Sequence, residues 1–216
     1  MGKLIVLEGV DGSGKTTQMR RLTARLAAEG ADFRRVAFPR YESPASAPLR
    51  MYLGGELGGD PDGVNAYAAS TLFAVDRYVS YLREWGGDYA RGGLILTDRY
   101  TTSNAVHQAA KLEVYARAAF WAWLYDFEFA KMGLPKPDLV LCLDLPAELS
   151  LARRKARAEQ SGAAPDIHER DADYLRRCAE TARAAAEFYG WRLIDAARDE
   201  DAVGDALYRA VRETLA

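Results

Sequence analysis

The chain has 216 residues, 49% of them hydrophobic and 28% charged, which fits one globular domain and argues against a disordered or low-complexity protein. Lys and Arg number 29 against 31 Asp and Glu, for a formal charge of −2, so no broad basic field is available to hold nucleic acid or an anionic membrane. The two cysteines, Cys142 and Cys178, and the two histidines, His107 and His168, are too few for a disulfide framework or a His/Cys metal site and fit a reducing cytoplasm.

The first apolar run, Leu4–Leu7, is too short for a signal-peptide core or a membrane span and reads as a strand buried on both faces. Directly after it, Gly9 to Thr16 match the pattern GxxxxGK followed by Ser or Thr. A helix follows at once: Met19, Leu22 and Leu26 recur at helical spacing among Arg20, Arg21 and Arg25, and Gly30 stands past its end as a cap. A second strand, Val36–Phe38, runs into Arg40, and Gly54–Gly63 reads as a loop. A long helix spans about Asn65–Glu84, with Leu72, Phe73, Val75, Tyr78 and Leu82 apolar, and the strand Leu94–Thr97 then ends on Asp98-Arg99. The helix from about Glu113 to Met132 is dense in Phe120, Trp121, Trp123, Leu124 and Phe127, a core or subunit-contact cluster. Strand Leu139–Asp144 leads to helix Pro146–Gln160, which carries Arg153, Arg154, Lys155 and Arg157; the segment Gln160–Asp166 reads as a surface loop or a lid. Helix Arg170–Tyr189, strand Arg192–Asp195 and helix Asp201–Leu215 complete the chain. This alternation predicts an α/β fold over residues 1–216 as a single domain: a five-stranded parallel sheet with helices on both faces.

The glycine-rich motif, placed between a strand and a helix, is a phosphate-binding loop. Its glycines let backbone N–H groups wrap a polyphosphate, and the helix N-terminus adds its positive dipole end. Gly9, Val10, Asp11, Gly12, Ser13, Gly14, Lys15, Thr16 and Thr17 form the expected nucleotide cradle. Lys15 would reach the β- and γ-phosphates, and the Thr16 hydroxyl a Mg²⁺ ion. A guanine-nucleotide switch would need an Asn-Lys-x-Asp base-reading motif. The nearest string, Pro135-Lys136-Pro137-Asp138, lacks the Asn and precedes its strand. A kinase needs cations to bring two polyanions together and an element that closes over them. Asp98 and Arg99 at a strand end, Arg40, and the arginines around Gln160–Asp166 supply candidates, although Arg77 beside Asp76 and Arg99 beside Asp98 also allow plain ion pairs.

Several motifs in fixed order carry a resemblance over essentially the whole chain: Lys3–Gly9 into the phosphate loop, Phe38-Pro39-Arg40, Ser70–Arg77, and Asp98-Arg99-Tyr100 with Ser103-Asn104. In these the chain resembles the thymidylate kinase family of P-loop nucleoside monophosphate kinases. The resemblance implies Mg²⁺-dependent transfer from ATP to dTMP, a short Arg-rich lid over about residues 150–168, and a cytoplasmic homodimer. It further implies that Arg40 and Arg99 hold the acceptor phosphate, that Asp11 meets the deoxyribose 3′-OH, that Phe73 stacks on thymine, and that Arg77 donates to its O4. Phe73 and Arg77, four residues apart, share a helix face. Ser103, Asn104 and Gln108 fall where family members contact base and sugar, and by the same resemblance Asp98 would orient Mg²⁺ or its waters. Gly12 deprives the loop of a catalytic arginine, which turns attention to Arg153 and Arg157 in the lid. His107 stands where some relatives carry a tyrosine. The alternatives are another monophosphate or deoxynucleoside kinase of this fold, or a nucleotide-binding module without turnover.

Overall fold

The structure, a computed structural model, describes residues 1–161 and 172–216, with side chains described outside 157–171. Five strands, β1 (Lys3–Gly9), β2 (Arg34–Ala37), β3 (Leu94–Asp98), β4 (Leu139–Asp144) and β5 (Arg192–Asp195), form one sheet in the order β2-β3-β1-β4-β5. Every pairing is parallel. Strand β2 begins two residues earlier than its apolar run suggests, because it is an edge strand that buries only Val36 and exposes Arg34 and Arg35. The other four sit where the apolar runs put them.

Helices α1 (Lys15–Ala28), α2 (Ala47–Gly54), α3 (Ala66–Ser80), α4 (Gly86–Ala90), α5 (Thr101–His107), α6 (Val114–Tyr125), α7 (Ala147–Ser161), α8 (Ala172–Tyr189) and α9 (Glu200–Leu215) surround the sheet. Alternation along β1 splits the core into two layers, as a period of two requires. Ile5 and Leu7 join Met19, Leu22 and Leu26 of α1 and Val203, Leu207 and Val211 of α9. Leu4 and Val6 join the opposite layer with Tyr100, Phe120, Trp121, Tyr174 and Cys178. Phe120 and Trp121 are therefore core, whereas the half-buried Trp123 and Phe127 rings stack on each other at 5.2 Å. No helix among the described residues is long and apolar enough to cross a membrane.

Both long helical patterns end in a π-turn, Tyr81–Trp85 after α3 and Asp126–Lys131 after α6. Helix α5 has no apolar signature at its start; Thr101, Thr102, Ser103 and Asn104 are poor helix formers whose side chains are claimed by buried carboxylates instead. Position β1 lies between β3 and β4, so the carboxyl ends of β1 and β3 open side by side, where open α/β sheets bind ligands.

Candidate active site

The loop after β1 turns sharply into α1. Gly12 has φ +85°, and a Cβ there would stand 2.7 Å from the Ser150 carbonyl oxygen and 3.0 Å from the Arg154 side chain. The absence of an arginine at position 12 is thus a packing requirement: α7 closes against the loop, and Ser150 Oγ donates to the Asp11 carbonyl. Gly14 has φ +94° with open space beside it, so there the glycine serves the backbone turn alone. The first turn of α1 carries no acidic residue, which leaves its positive end available to an anion. Lys15 is buried, and its Nζ donates to the carbonyls of Gly9 at 2.7 Å and Val10 at 3.0 Å. Burial, assisted by the charge of Arg99, lowers its pKa below that of an ordinary amine.

Arg99 follows β3 with φ +66°, a left-handed backbone that costs on the order of 1 kcal/mol in a non-glycine residue and persists only where the surroundings impose it. Its guanidinium pairs with Asp11 and reaches Glu8 Oε1 at 3.4 Å, Ser103 Oγ at 3.1 Å and His107 Nε2 at 3.2 Å. Glu8, fully buried in β1, accepts from Gly9 N at 2.9 Å and from the hydroxyls of Thr102 and Ser103 at 2.7 Å. One carboxylate therefore ties the phosphate loop to the first turn of α5. Burial pushes the Asp11 carboxyl up, but Arg99, Lys15, His107 and Arg154 outweigh it and hold the group well below the usual carboxylate range.

A cavity of about 400 Å³ lies between these ends, lined by the loop from Asp11 to Gln18, by Asp98 and Arg99, and by Arg153 of α7. That volume is in the range of small-molecule sites, roughly 300–1,000 Å³. Asp98 Oδ1 is buried and has no protein partner. Among the described residues no group of three or more His, Cys, Asp and Glu is arranged to hold a metal alone. A Mg²⁺ ion held mainly through nucleotide phosphates and water needs only one or two protein oxygens, and the unpartnered Asp98 oxygen with Thr16 in the same cavity fits that demand.

Arg40, Phe73, Arg77, Ser103, Asn104 and Gln108 are not part of the lining of that cavity; of their side chains, that of Ser103 is bonded to a lining residue, Arg99. The Arg40 backbone N–H donates to Asp76 Oδ2 at 2.9 Å, Ser46 bridges Asp76 and the Arg40 carbonyl, and the Arg40 guanidinium pairs with Glu84. The Phe73 ring meets Tyr52 edge-on at 6.2 Å. Arg77 is 1% exposed and pairs with Glu128 of the second π-turn rather than with its sequence neighbour Asp76. Arg99 likewise bypasses Asp98 for Asp11 and Glu8. Gln108 is fully buried and neither atom of its amide has a protein partner.

On the lid side, Arg153 Nη2 donates to the Ala196 carbonyl at 3.4 Å. The Arg157 side chain and residues 162–168 of the expected lid lie outside the described residues. Sequence reasoning passed over the roles of Glu8, Glu128 and Arg198. Arg198 lines the cavity just beyond β5, and its position at a strand's carboxyl end was a usable signal. The contacts that Glu8 and Glu128 make to α3 and α5 cross tens of residues and leave no local mark.

A phosphate loop at the carboxyl end of a central parallel strand, faced across one cavity by an Asp-Arg pair from the adjacent strand, defines the frame of a P-loop nucleotide-binding protein. The sequence profile described as Thymidylate kinase matches residues 7–207. A protein named Thymidylate kinase from Mycobacterium tuberculosis is 39% identical over 202 residues, covering 92% of each chain. One of the same name from a Cyanothece species is 34% identical over 231 residues, covering 99% of this chain and 95% of that one. Another from Thermomicrobium roseum is 30% identical over 219 residues, covering 100% and 97%. The chain belongs to the thymidylate kinase family.

Proposed function

We propose that this chain transfers the γ-phosphate of ATP to dTMP, giving dTDP and ADP. The observation that carries this reading is the continuity of the two anion sites: Lys15 and Arg99 line one cavity, and Arg99 runs on through Ser103 and Glu8 to the first turn of α5. A module that only bound nucleotide would have no use for the second cation. Support for the substrates comes from the names of the relatives and the matching residues of the family's motifs.

In this reading the backbone from Gly9 to Thr17 and Lys15 cradle the donor phosphates, and Arg40 and Arg99 hold the acceptor phosphate. Asp11 meets the 3′-OH, Phe73 stacks on the base, and Arg77, Ser103, Asn104 and Gln108 contact base and sugar. The carbonyls that hold Lys15 and the carboxylates that hold Arg40 and Arg99 act as placeholders, released when phosphate oxygens take over. Catalysis is positioning and charge stabilisation, with no general base needed because the acceptor phosphate is already an anion. Arg153 and Arg157 supply positive charge from the lid, and closure keeps water from the transferred group. Mg²⁺, held by Thr16 and Asp98, would neutralise charge on the phosphates.

Asp98→Asn is expected to raise the Mg²⁺ concentration for half-maximal rate by about tenfold and to lower kcat by roughly 10–100-fold; an unchanged Mg²⁺ titration would remove Asp98 from the metal site. We also propose a cytoplasmic homodimer. Tyr67, Val75 and Leu82 stand exposed at helical spacing along α3 and the turn that continues it, with Val114 and Tyr115 exposed at the start of α6, and such a stripe suits a two-fold contact. The test of the reaction is to follow radiolabel from the γ-position of ATP in the presence of dTMP. The label is expected in dTDP; label released only as inorganic phosphate would reject transfer.

A further inference from the structure

Glu128 has no part in phosphate chemistry, yet its fully buried carboxylate gathers donors from two helices. Arg77 Nε donates to Oε2 at 2.7 Å while Nη2 donates to Oε1, Thr101 Oγ1 donates to Oε2 at 2.6 Å, and Asn104 Nδ2 approaches Oε1 at 3.4 Å. A buried ion pair is no stability device in itself, since desolvation offsets the attraction and an apolar pair of like volume packs as well. It sits in the π-turn Asp126–Lys131, and such turns recur at functional sites.

The consequence of the arrangement is orientation. Two parallel hydrogen bonds fix the plane of the Arg77 guanidinium, so the N–H groups on its Nη1 side face away from the carboxylate. Asn104 turns its NH₂ to the Ser70 carbonyl at 3.1 Å and, at 3.4 Å, to Glu128, two groups that only accept. That leaves the Asn104 amide oxygen as the group it can offer a ligand. A fixed donor beside a fixed acceptor matches the edge of a 4-oxo pyrimidine, whose O4 accepts and whose N3–H donates. It mismatches a 4-amino pyrimidine, in which both senses are reversed.

We propose that Glu128 is a positioning residue that fixes the plane of the Arg77 guanidinium, and so aims its free donors at the base edge beside the Asn104 oxygen and disfavours 4-amino pyrimidines in the acceptor site. The inference rests on the reading above that Arg77 and Asn104 face the acceptor base. Replacing the acid with its amide, Glu128→Gln, removes the charge and turns one of its two acceptor oxygens into a donor that cannot face an Arg77 N–H, while the Ser70 carbonyl still holds the Asn104 NH₂.

The experiment is steady-state kinetics of the full chain and of Glu128→Gln with dTMP and with dCMP, at varied ATP, each protein checked for a cooperative melt. The wild type is expected to favour dTMP strongly. In the variant KM for dTMP should rise about 10–100-fold, KM for ATP should stay within about twofold, and the preference for dTMP over dCMP should fall about tenfold. A merely structural role would lower both acceptors equally, and that result, or an unchanged preference, overturns the proposal while leaving the kinase reading intact. A wild type indifferent to the base overturns both. Should Glu128→Gln not fold, Glu128→Asp keeps the charge but falls short of the two-point contact with Arg77. A narrowed preference in that folded variant supports the role, and a preference equal to that of the wild type rejects it.

Discussion

Replacing Lys15 with alanine is expected to lower kcat by roughly 10²–10³-fold or more, the effect of removing one preorganised charge from a developing transition state, while the protein stays folded. The folded-state contacts argue for both halves of that result. Lys15 Nζ is held by the carbonyls of Gly9 and Val10, with Asp11 at 3.9 Å, and the residue belongs to neither apolar layer of the core. Its amine is buried and disfavoured as a cation there, so its removal also relieves a desolvation cost. Rapid-quench measurement of a single turnover, beside a thermal melt, separates the two. A folded variant that keeps more than about a tenth of the wild-type rate would contradict the role given to Lys15.

Arg77→Ala should fail differently. The substitution strands the Glu128 carboxylate, which is 0% exposed, and leaving a buried charge without its partner costs about 3–5 kcal/mol. In a chain of this size that lowers Tm by about 10 °C. Arg77→Met combined with Glu128→Leu removes both charges and should recover most of the loss. A single variant as stable as the wild type, or a double variant no better than the single, would show that the pair does not behave as a desolvated ion pair. Activity loss in Arg77→Ala alone would therefore mix stability with recognition, and the melt must be measured with it.

The parts of this fold that were legible in sequence are those with a local signature. Leu4–Leu7 followed by GxxxxGK and an amphipathic helix announces the phosphate loop because strand, glycines and helix must be contiguous to make it. The three inner strands read correctly because a parallel strand covered on both faces is a run of apolar residues; of the two edge strands, each burying one residue, β5 was read at its full length and β2 two residues late at its start. Helix α5 was invisible as a helix because its first turn is Thr-Thr-Ser-Asn, whose side chains are held by Glu8 and Glu128 from 94 and 27 residues away. The same holds for the site. Arg99 and Asp98 stood out at a strand end, but nothing near Arg77 pointed to Glu128, and Asp76 beside it was the wrong partner. Gly12 read as a missing arginine, whereas its cause, the Ser150 carbonyl, lies on α7. Short-range chemistry is written in the motif; the carboxylates that orient it are supplied by topology.

The measurement that tests the central reading most directly is ADP release by the purified chain with ATP and Mg²⁺, offering dTMP, dUMP, dCMP, dGMP, UMP, AMP and thymidine separately. The reading predicts rapid turnover with dTMP, weaker turnover with dUMP and little with the rest. Faster turnover with another acceptor, or silence across the whole panel from a protein that still binds ATP, would contradict it.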